Sequence, residues 1–210
     1  MPTRPSHLPL SLVVSQERPA ATDGDLARGL MEGDAWALAE TWRRFAPMVL
    51  LLAKRTLGSQ AEAEDVSQEV FIRLFRKAKN LQEPDSLRSF IYAITIRALK
   101  TELQRRKLRG WLLFEQPQSL VGLGWRTIDM ESRELVRKFS VLLDRLATRD
   151  RLVFILRRME SMTVQEVAAA MEISESTVKR SMTRASGRLA RWIDADPGLA
   201  SVFNTERWER

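Results

Sequence analysis

Apolar residues recur along this chain at intervals of three and four, almost without a break from Asp25 to Arg109 and again from about Met130 to Trp192. That spacing is what a helix with one buried face requires, and no alternation of period two is long enough to assert a strand. Leu26, Leu30 and Met31 open a first helix, and Gly33-Asp34 punctuates it. Trp36, Leu38, Trp42 and Phe45 mark a second apolar face before Pro47, and Met48 to Leu57 continues as a largely buried helix that Gly58-Ser59 ends. From about Glu62 to Ala78 one side carries Val66, Val70, Phe71, Leu74, Phe75 and Ala78. Stepping about 100° per residue puts Asp65, Gln68, Glu69, Ile72 and Arg76 on the other side, so an isoleucine is expected in the open among acids. Pro84-Asp85 turns the chain into a helix from about Ser86 to Lys107, with Leu87, Ile91, Ile94, Ala98 and Leu99 inward.

Gly110 to Asp129 has three glycines, a proline and no long helical period, which reads as a linker. Helical spacing then resumes with Leu135, Phe139, Leu142, Leu143 and Leu146, and again with Leu152, Ile155, Leu156 and Met159. Two short helices follow between Ser161 and Trp192. Thr163 and Glu166 form a capping box for the first, and Ser174 stands at the N-cap of the second. Val167, Ala168, Met171 and Ile173 face Val178, Met182, Ala185 and Leu189, the pattern of a helix-turn-helix. The expected fold is therefore all-α. It comprises two small helical domains, 24–109 and 133–193, joined by a linker at 110–132, with a loosely attached arm at 1–23 and a tail at 194–210 that has no strong assignment.

Composition narrows the function. There are 34 Lys and Arg against 27 Asp and Glu, a formal charge of +7, which favours an anionic partner. The chain has no cysteine, and its one histidine, His7, lies in the Pro- and Ser-rich arm, so thiolate nucleophiles, Cys-based metal sites and histidine general bases are absent from the helical regions. No catalytic residue, metal or cofactor is expected. The longest uninterrupted apolar run, Met48 to Ala53, is far short of the roughly 20 residues that span a bilayer, so no membrane insertion is expected. The arm lacks a clear cleavage motif after its apolar stretch, and a cytoplasmic location follows as the expectation.

The charge is sorted into three surfaces. Gln60 to Glu69 has four acids and no base inside a basic protein, and with Ile72 it suits a protein partner that is basic at that point. Carboxylates near a helix start also suit the dipole, so ordinary helix-start chemistry is the competing account. Arg97 to Arg109 holds six basic residues against Glu102 alone, a phosphate-neutralising end whose neighbours Phe90 and Tyr92 could stack unpaired bases, although Phe90 is better placed as core. The helix after Ser174 carries five basic residues and no acid from Thr177 to Trp192; Thr177, Lys179, Arg180, Thr183 and Arg184 lie opposite its apolar stripe, where they suit base edges and phosphates of a major groove.

AEAEDVSQEVFIRLFRKA at 61–78 and LDRLATRDRLVFILRRMESMTVQEVAAAMEISESTVKRSMTRASGRL at 143–189 resemble regions 2 and 4 of the bacterial extracytoplasmic-function sigma factors of the sigma-70 superfamily. The resemblance implies a promoter-specificity subunit of RNA polymerase. Asp65, Gln68, Glu69 and Ile72 would dock on the clamp of the largest polymerase subunit. Arg88, Tyr92, Arg97, Lys100, Arg105 and Arg106 would meet the −10 element and help open it, while Ser176, Thr177, Lys179, Arg180, Thr183 and Arg184 would read the −35 element as duplex. The implied partners are core RNA polymerase and promoter DNA, with an anti-sigma factor as a further candidate. Several positions depart from the pattern: Phe90 replaces a tryptophan, Arg97 an asparagine and Thr101 an aspartate of the −10 helix. Arg180 is displaced by one position in the −35 helix, and Glu172 occupies the glycine of the turn. A stand-alone helix-turn-helix regulator, and a sigma-like adaptor lacking −10 recognition, are the alternative readings.

Overall fold

In a computed structural model the described residues are 21–81, 87–113, 130–203 and 205, and all the regular elements among them are helical. The first group comprises α1 (Asp23–Glu32), α2 (Ala35–Leu57), α3 (Gln60–Lys77), a short 3₁₀ turn (Ala78–Asn80) and α4 (Leu87–Leu113). The second comprises α5 (Met130–Asp144), α6 (Thr148–Arg158), α7 (Val164–Met171), α8 (Glu175–Asp194) and the four-residue α9 (Pro197–Ala200).

Local chemistry sets the helix ends. Thr22 and Asp25 cap α1 reciprocally, the Thr22 amide donating to Asp25 Oδ2 at 2.9 Å and the Asp25 amide to Thr22 Oγ1 at 3.1 Å. The Thr22 hydroxyl and amide, both donating to Asp25 Oδ2, hold the Asp25 carboxyl below its usual range, with Arg28 a smaller contributor. Gly33 and Gly58 close α1 and α2 at φ of 82° and 71°, where a side chain would be strained. α2 runs straight through Pro47. The apolar faces on either side of that proline are thus one helix, because packing against α1, α3 and α4 outweighs one missing backbone donor.

The first core gathers Leu26, Leu30, Phe45, Leu52, Val70, Phe71, Leu74, Leu87, Ile91 and Leu99, all nearly inaccessible. α3 divides as its periodicity requires: Val66, Val70, Phe71 and Leu74 are buried, while Asp65, Gln68, Glu69, Ile72 and Arg76 are exposed. Trp42 departs from expectation. It is 44% exposed, with its ring leaning on Phe71 at 4.5 Å between centroids.

Three segments differ from the sequence-based boundaries. The end of the arm is held in place: Arg44 donates to Ala21 O at 2.8 Å and to Asp23 Oδ1 at 2.7 Å. α4 extends to Leu113, so the chain is still helical past position 109; the rest of the linker through 129 lies outside the described residues. The tail also folds: Asp196 caps α9 and pairs with Lys138 at 2.9 Å, and Phe203 stacks on Phe139 at 4.9 Å and 16°, extending the second core.

The two groups of helices meet chiefly at α4, which packs on α1, α2 and α3 of its own group and on α6 and α7 of the other, with α2 also touching α6. This explains why Tyr92, Thr95 and Ile96 are buried as well as the inward stripe expected of α4. A helix covered on two sides has no single apolar face for periodicity to find.

Candidate nucleic-acid interface

The helix-turn-helix is built as its caps require. Glu166 donates its amide to Thr163 Oγ1 at 3.2 Å and accepts the Thr163 amide at 2.7 Å, completing the capping box of α7. The Thr163 amide, and after it the Thr163 hydroxyl, hold the Glu166 carboxyl below its ordinary range, and the charge of Arg88 on α4 contributes in the same direction. Ser174 caps α8, accepting from the Thr177 amide at 3.3 Å. Between the helices Glu172 takes φ 55° and ψ 47°, the left-handed conformation that a glycine would occupy, with its amide closing on Ala168 O and Ala169 O. The turn geometry is thus kept without the glycine, and its backbone cost stays in the fold.

On α8, Val178, Ser181, Ala185, Ser186, Leu189 and Ile193 are buried. Ser176, Lys179, Arg180 and Thr183 are exposed together, and Thr177 is half-buried. The Ser176 and Thr177 hydroxyls lie 3.0 and 2.8 Å from Ser174 Oγ, so both are engaged at the helix start. Arg184 has a different commitment. Its guanidinium donates to both oxygens of Asp150, at 2.9 and 3.2 Å, and to Ser181 Oγ at 3.0 Å. The Asp150 carboxylate pushes the Arg184 pKa up. Because Asp150 is 3% exposed, Arg184 serves first as the counter-ion of a buried carboxylate. It is therefore a structural residue as well as a candidate phosphate contact, a dual role that the sequence pattern of α8 does not show. Arg188, exposed on α8, extends the basic face formed by Lys179 and Arg180.

On α4 the six basic and aromatic candidates part company. Arg88, Arg97, Lys100 and Arg105 are exposed. Tyr92 is only 8% exposed, in a groove shared with Met162, Ala169 and Ala170, so its ring is not presented for stacking in this arrangement. Arg106 is half-buried, donating to Glu62 through Nε at 3.0 Å and lying 3.9 Å from Asp144. Arg97 donates to Glu172 of the helix-turn-helix turn. Phe90 is half-buried and packs on the core.

Sequence reasoning missed the acidic partners of these cations, Glu62, Asp144, Asp150 and Glu172, and that of Arg55, Glu160. Each sits next to its cation only in space. Arg55 of α2, for instance, donates to Met159 O at 3.0 Å and to Glu160 Oε1 at 2.5 Å, more than a hundred residues away. Asp144 also binds Arg151, which is nearly enclosed, and burial lowers the pKa of that arginine despite the carboxylate beside it. The acidic row on α3 stands apart. Asp65, Gln68 and Glu69 are exposed in line with Ile72, which is 45% exposed, and Glu69 pairs with Arg73 at 2.6 Å.

Comparison with known proteins places these surfaces in context. Residues 41–109 match sigma-70 region 2, and residues 137–189 match sigma-70 region 4. The chain is similar to the ECF RNA polymerase sigma factor SigM of Mycobacterium tuberculosis, 25% identical over 172 residues that cover 82% of this chain and 85% of the relative. It is likewise similar to the RNA polymerase sigma-E factor of Streptomyces coelicolor, 25% identical over 85% of this chain and 98% of the relative. In fold it resembles CnrH, solved in complex with the cytosolic domain of CnrY, at a TM-score of 0.62 and 23% identity over 83% of this chain and 98% of CnrH. It also resembles RpoE of Bartonella quintana, solved with the anti-sigma factor NepR, at a TM-score of 0.60 and 16% identity over 75% and 97%.

Proposed function

The chain belongs to the sigma-70 family as an extracytoplasmic-function member that directs core RNA polymerase to promoters, and on that premise we propose how its surfaces divide the work. The exposed row Asp65, Gln68, Glu69 and Ile72 on α3 docks on the clamp of the largest polymerase subunit. Its charge is opposite to that of the rest of the protein, which separates the polymerase contact from the DNA contacts. α4 presents Arg88, Arg97, Lys100 and Arg105 to the −10 element, with Tyr92 and Arg106 joining once the cover over them is removed. α8 enters the −35 major groove with Ser176, Thr177, Lys179, Arg180 and Thr183, and Arg184 adds a phosphate contact while holding Asp150.

The observation that carries this assignment is the separation itself: an exposed acidic and apolar row on one helix, and hydroxyl and basic faces on two others. A stand-alone duplex-binding regulator has no use for the first. The protein transmits polymerase to DNA and catalyses no reaction of its own. Among the described residues no helix is long and apolar enough to cross a membrane, and the proposed site of action is the cytoplasm, where the polymerase works. The two solved relatives are bound to other proteins, CnrY and the anti-sigma factor NepR, and an anti-sigma partner is proposed here as well.

The test is a capture of core polymerase by the full chain, followed by transcription from promoters selected out of a random library. Asp65→Lys with Glu69→Lys should lower polymerase capture at least tenfold while leaving the melting temperature unchanged. Capture at wild-type strength would remove α3 from the polymerase contact.

A further inference from the structure

The segment that matches sigma-70 region 4 ends at 189, and the residues after it complete a groove on the second group of helices. Trp192 at the end of α8 and Leu199 of α9 form its floor with Val141 of α5, while Arg137, Lys138 and Arg145, also of α5, stand at its rim. The space is about 310 Å³, enough for an apolar side chain with an acidic neighbour. Its floor is fixed. Leu199 is 1% exposed, and Asp196 caps α9 by accepting from the Gly198 and Leu199 amides at 2.9 and 3.2 Å while pairing with Lys138. Position 198 leaves room for that pair, since a Cβ there would stand 3.2 Å from Asp196 Oδ1 and 3.6 Å from Lys138 Nζ.

The three cations of the rim are committed to different degrees. Lys138 is neutralised by Asp196, whose carboxyl it holds below the ordinary range, with the Leu199 amide the next contributor. Arg137 pairs with Glu134, but the two side chains are 41% and 48% exposed, so an incoming carboxylate can replace Glu134 at little cost. Arg145 has no carboxylate partner among the described residues, and its guanidinium lies 4.3 Å from the centroid of the Trp192 ring. A cation stacked on the floor of the groove can meet an anion without giving up that contact. The groove also stands clear of the DNA face: Trp192 follows Arg180 by twelve residues, about 120° round α8 and about 18 Å along it.

We propose that this groove docks an acidic, partly apolar peptide segment of a partner protein, at a place separate from the surfaces assigned to polymerase and to DNA. Arg145, with Arg137 released from Glu134, takes the carboxylates of that segment. An apolar side chain of the segment lies on Val141, Trp192 and Leu199. Charge complementarity selects an acidic partner, and the floor selects protein over nucleic acid. A phosphate backbone is met by a row of cations and has no use for an apolar floor, whereas an apolar centre inside a polar rim is the anatomy of a protein contact.

The test uses the full-length protein and a short fluorescent peptide of leucine and glutamate, with a leucine and lysine peptide of equal length as the reference. Fluorescence anisotropy should show binding of the first and none of the second. Arg145→Glu should weaken the glutamate peptide about fivefold or more, at an unchanged melting temperature because Arg145 is exposed. Lys77→Glu makes the same change of charge at the exposed end of α3 and should weaken the peptide less than about twofold. The two variants should differ little from each other in affinity for −35 duplex. Equal loss of peptide binding in both would mean diffuse attraction to a basic protein and would overturn the site. Competition by the −35 duplex would make the groove part of the DNA face and overturn it too. Tighter peptide binding by Glu206→Lys with Glu209→Lys would give the groove to the chain's own final residues, and a dimer of the free protein that Arg145→Glu dissolves would give it to a second copy; either result overturns the partner.

Discussion

Arg184 grips both oxygens of the buried Asp150, from a helix that otherwise turns its cations toward solvent. A basic residue on the outer face of α8 therefore holds α8 to α6, and the two tasks can be separated by mutation. Arg184→Ala leaves a carboxylate that is 3% exposed without its counter-ion and should lower the melting temperature together with −35 affinity. Arg180→Ala, exposed with only a long 3.4 Å contact to Thr177, should weaken duplex binding and reduce its salt dependence at an unchanged melting temperature. Equal melting temperatures for the two variants would deny Arg184 its structural role.

Glu172→Gly should stabilise the isolated folding reaction of the chain by about 1 kcal/mol, the usual cost of a non-glycine residue held in the left-handed region. An exposed ion pair to Arg97 offsets only part of that gain. Thermal unfolding of the full protein checks it, and a lower midpoint for the glycine variant would show that the turn is not strained.

Asp144 pairs with the enclosed Arg151, whose side chain is 4% exposed. Asp144→Ala should cost about 3 kcal/mol, because it strands a charge whose pKa burial already lowers, while Arg151→Met should cost clearly less. Denaturant titration of both variants ranks them, and the reverse order would contradict the account.

Phe203→Ala removes the stacked partner of Phe139 and should cost about 1 kcal/mol. The check is again the unfolding midpoint. A neutral result would mean that the segment after α9 lies on the second core without supporting it.

The all-helical class, the capped start of α7 and the outward face of α3 could all be read from the sequence because each is local. Helical period and caps depend on residues within a few positions of one another. Thr163 with Glu166, and Asp65 through Ile72, therefore carry their signal wherever the chain goes. What the sequence could not show is the other side of each charge. Arg184 and Arg180 look alike on a helical wheel, and only the placement of Asp150 on α6 tells them apart. Tyr92 stands in the sequence among the cations of a basic helix, yet it is buried because α4 is covered on two sides. Arg97 and Glu172 read separately as two departures from a family pattern, and the fold makes them one ion pair. Local periodicity determines which side of a helix is apolar. Which cation meets which carboxylate depends on helices packed from opposite ends of the chain, and only the tertiary structure decides it.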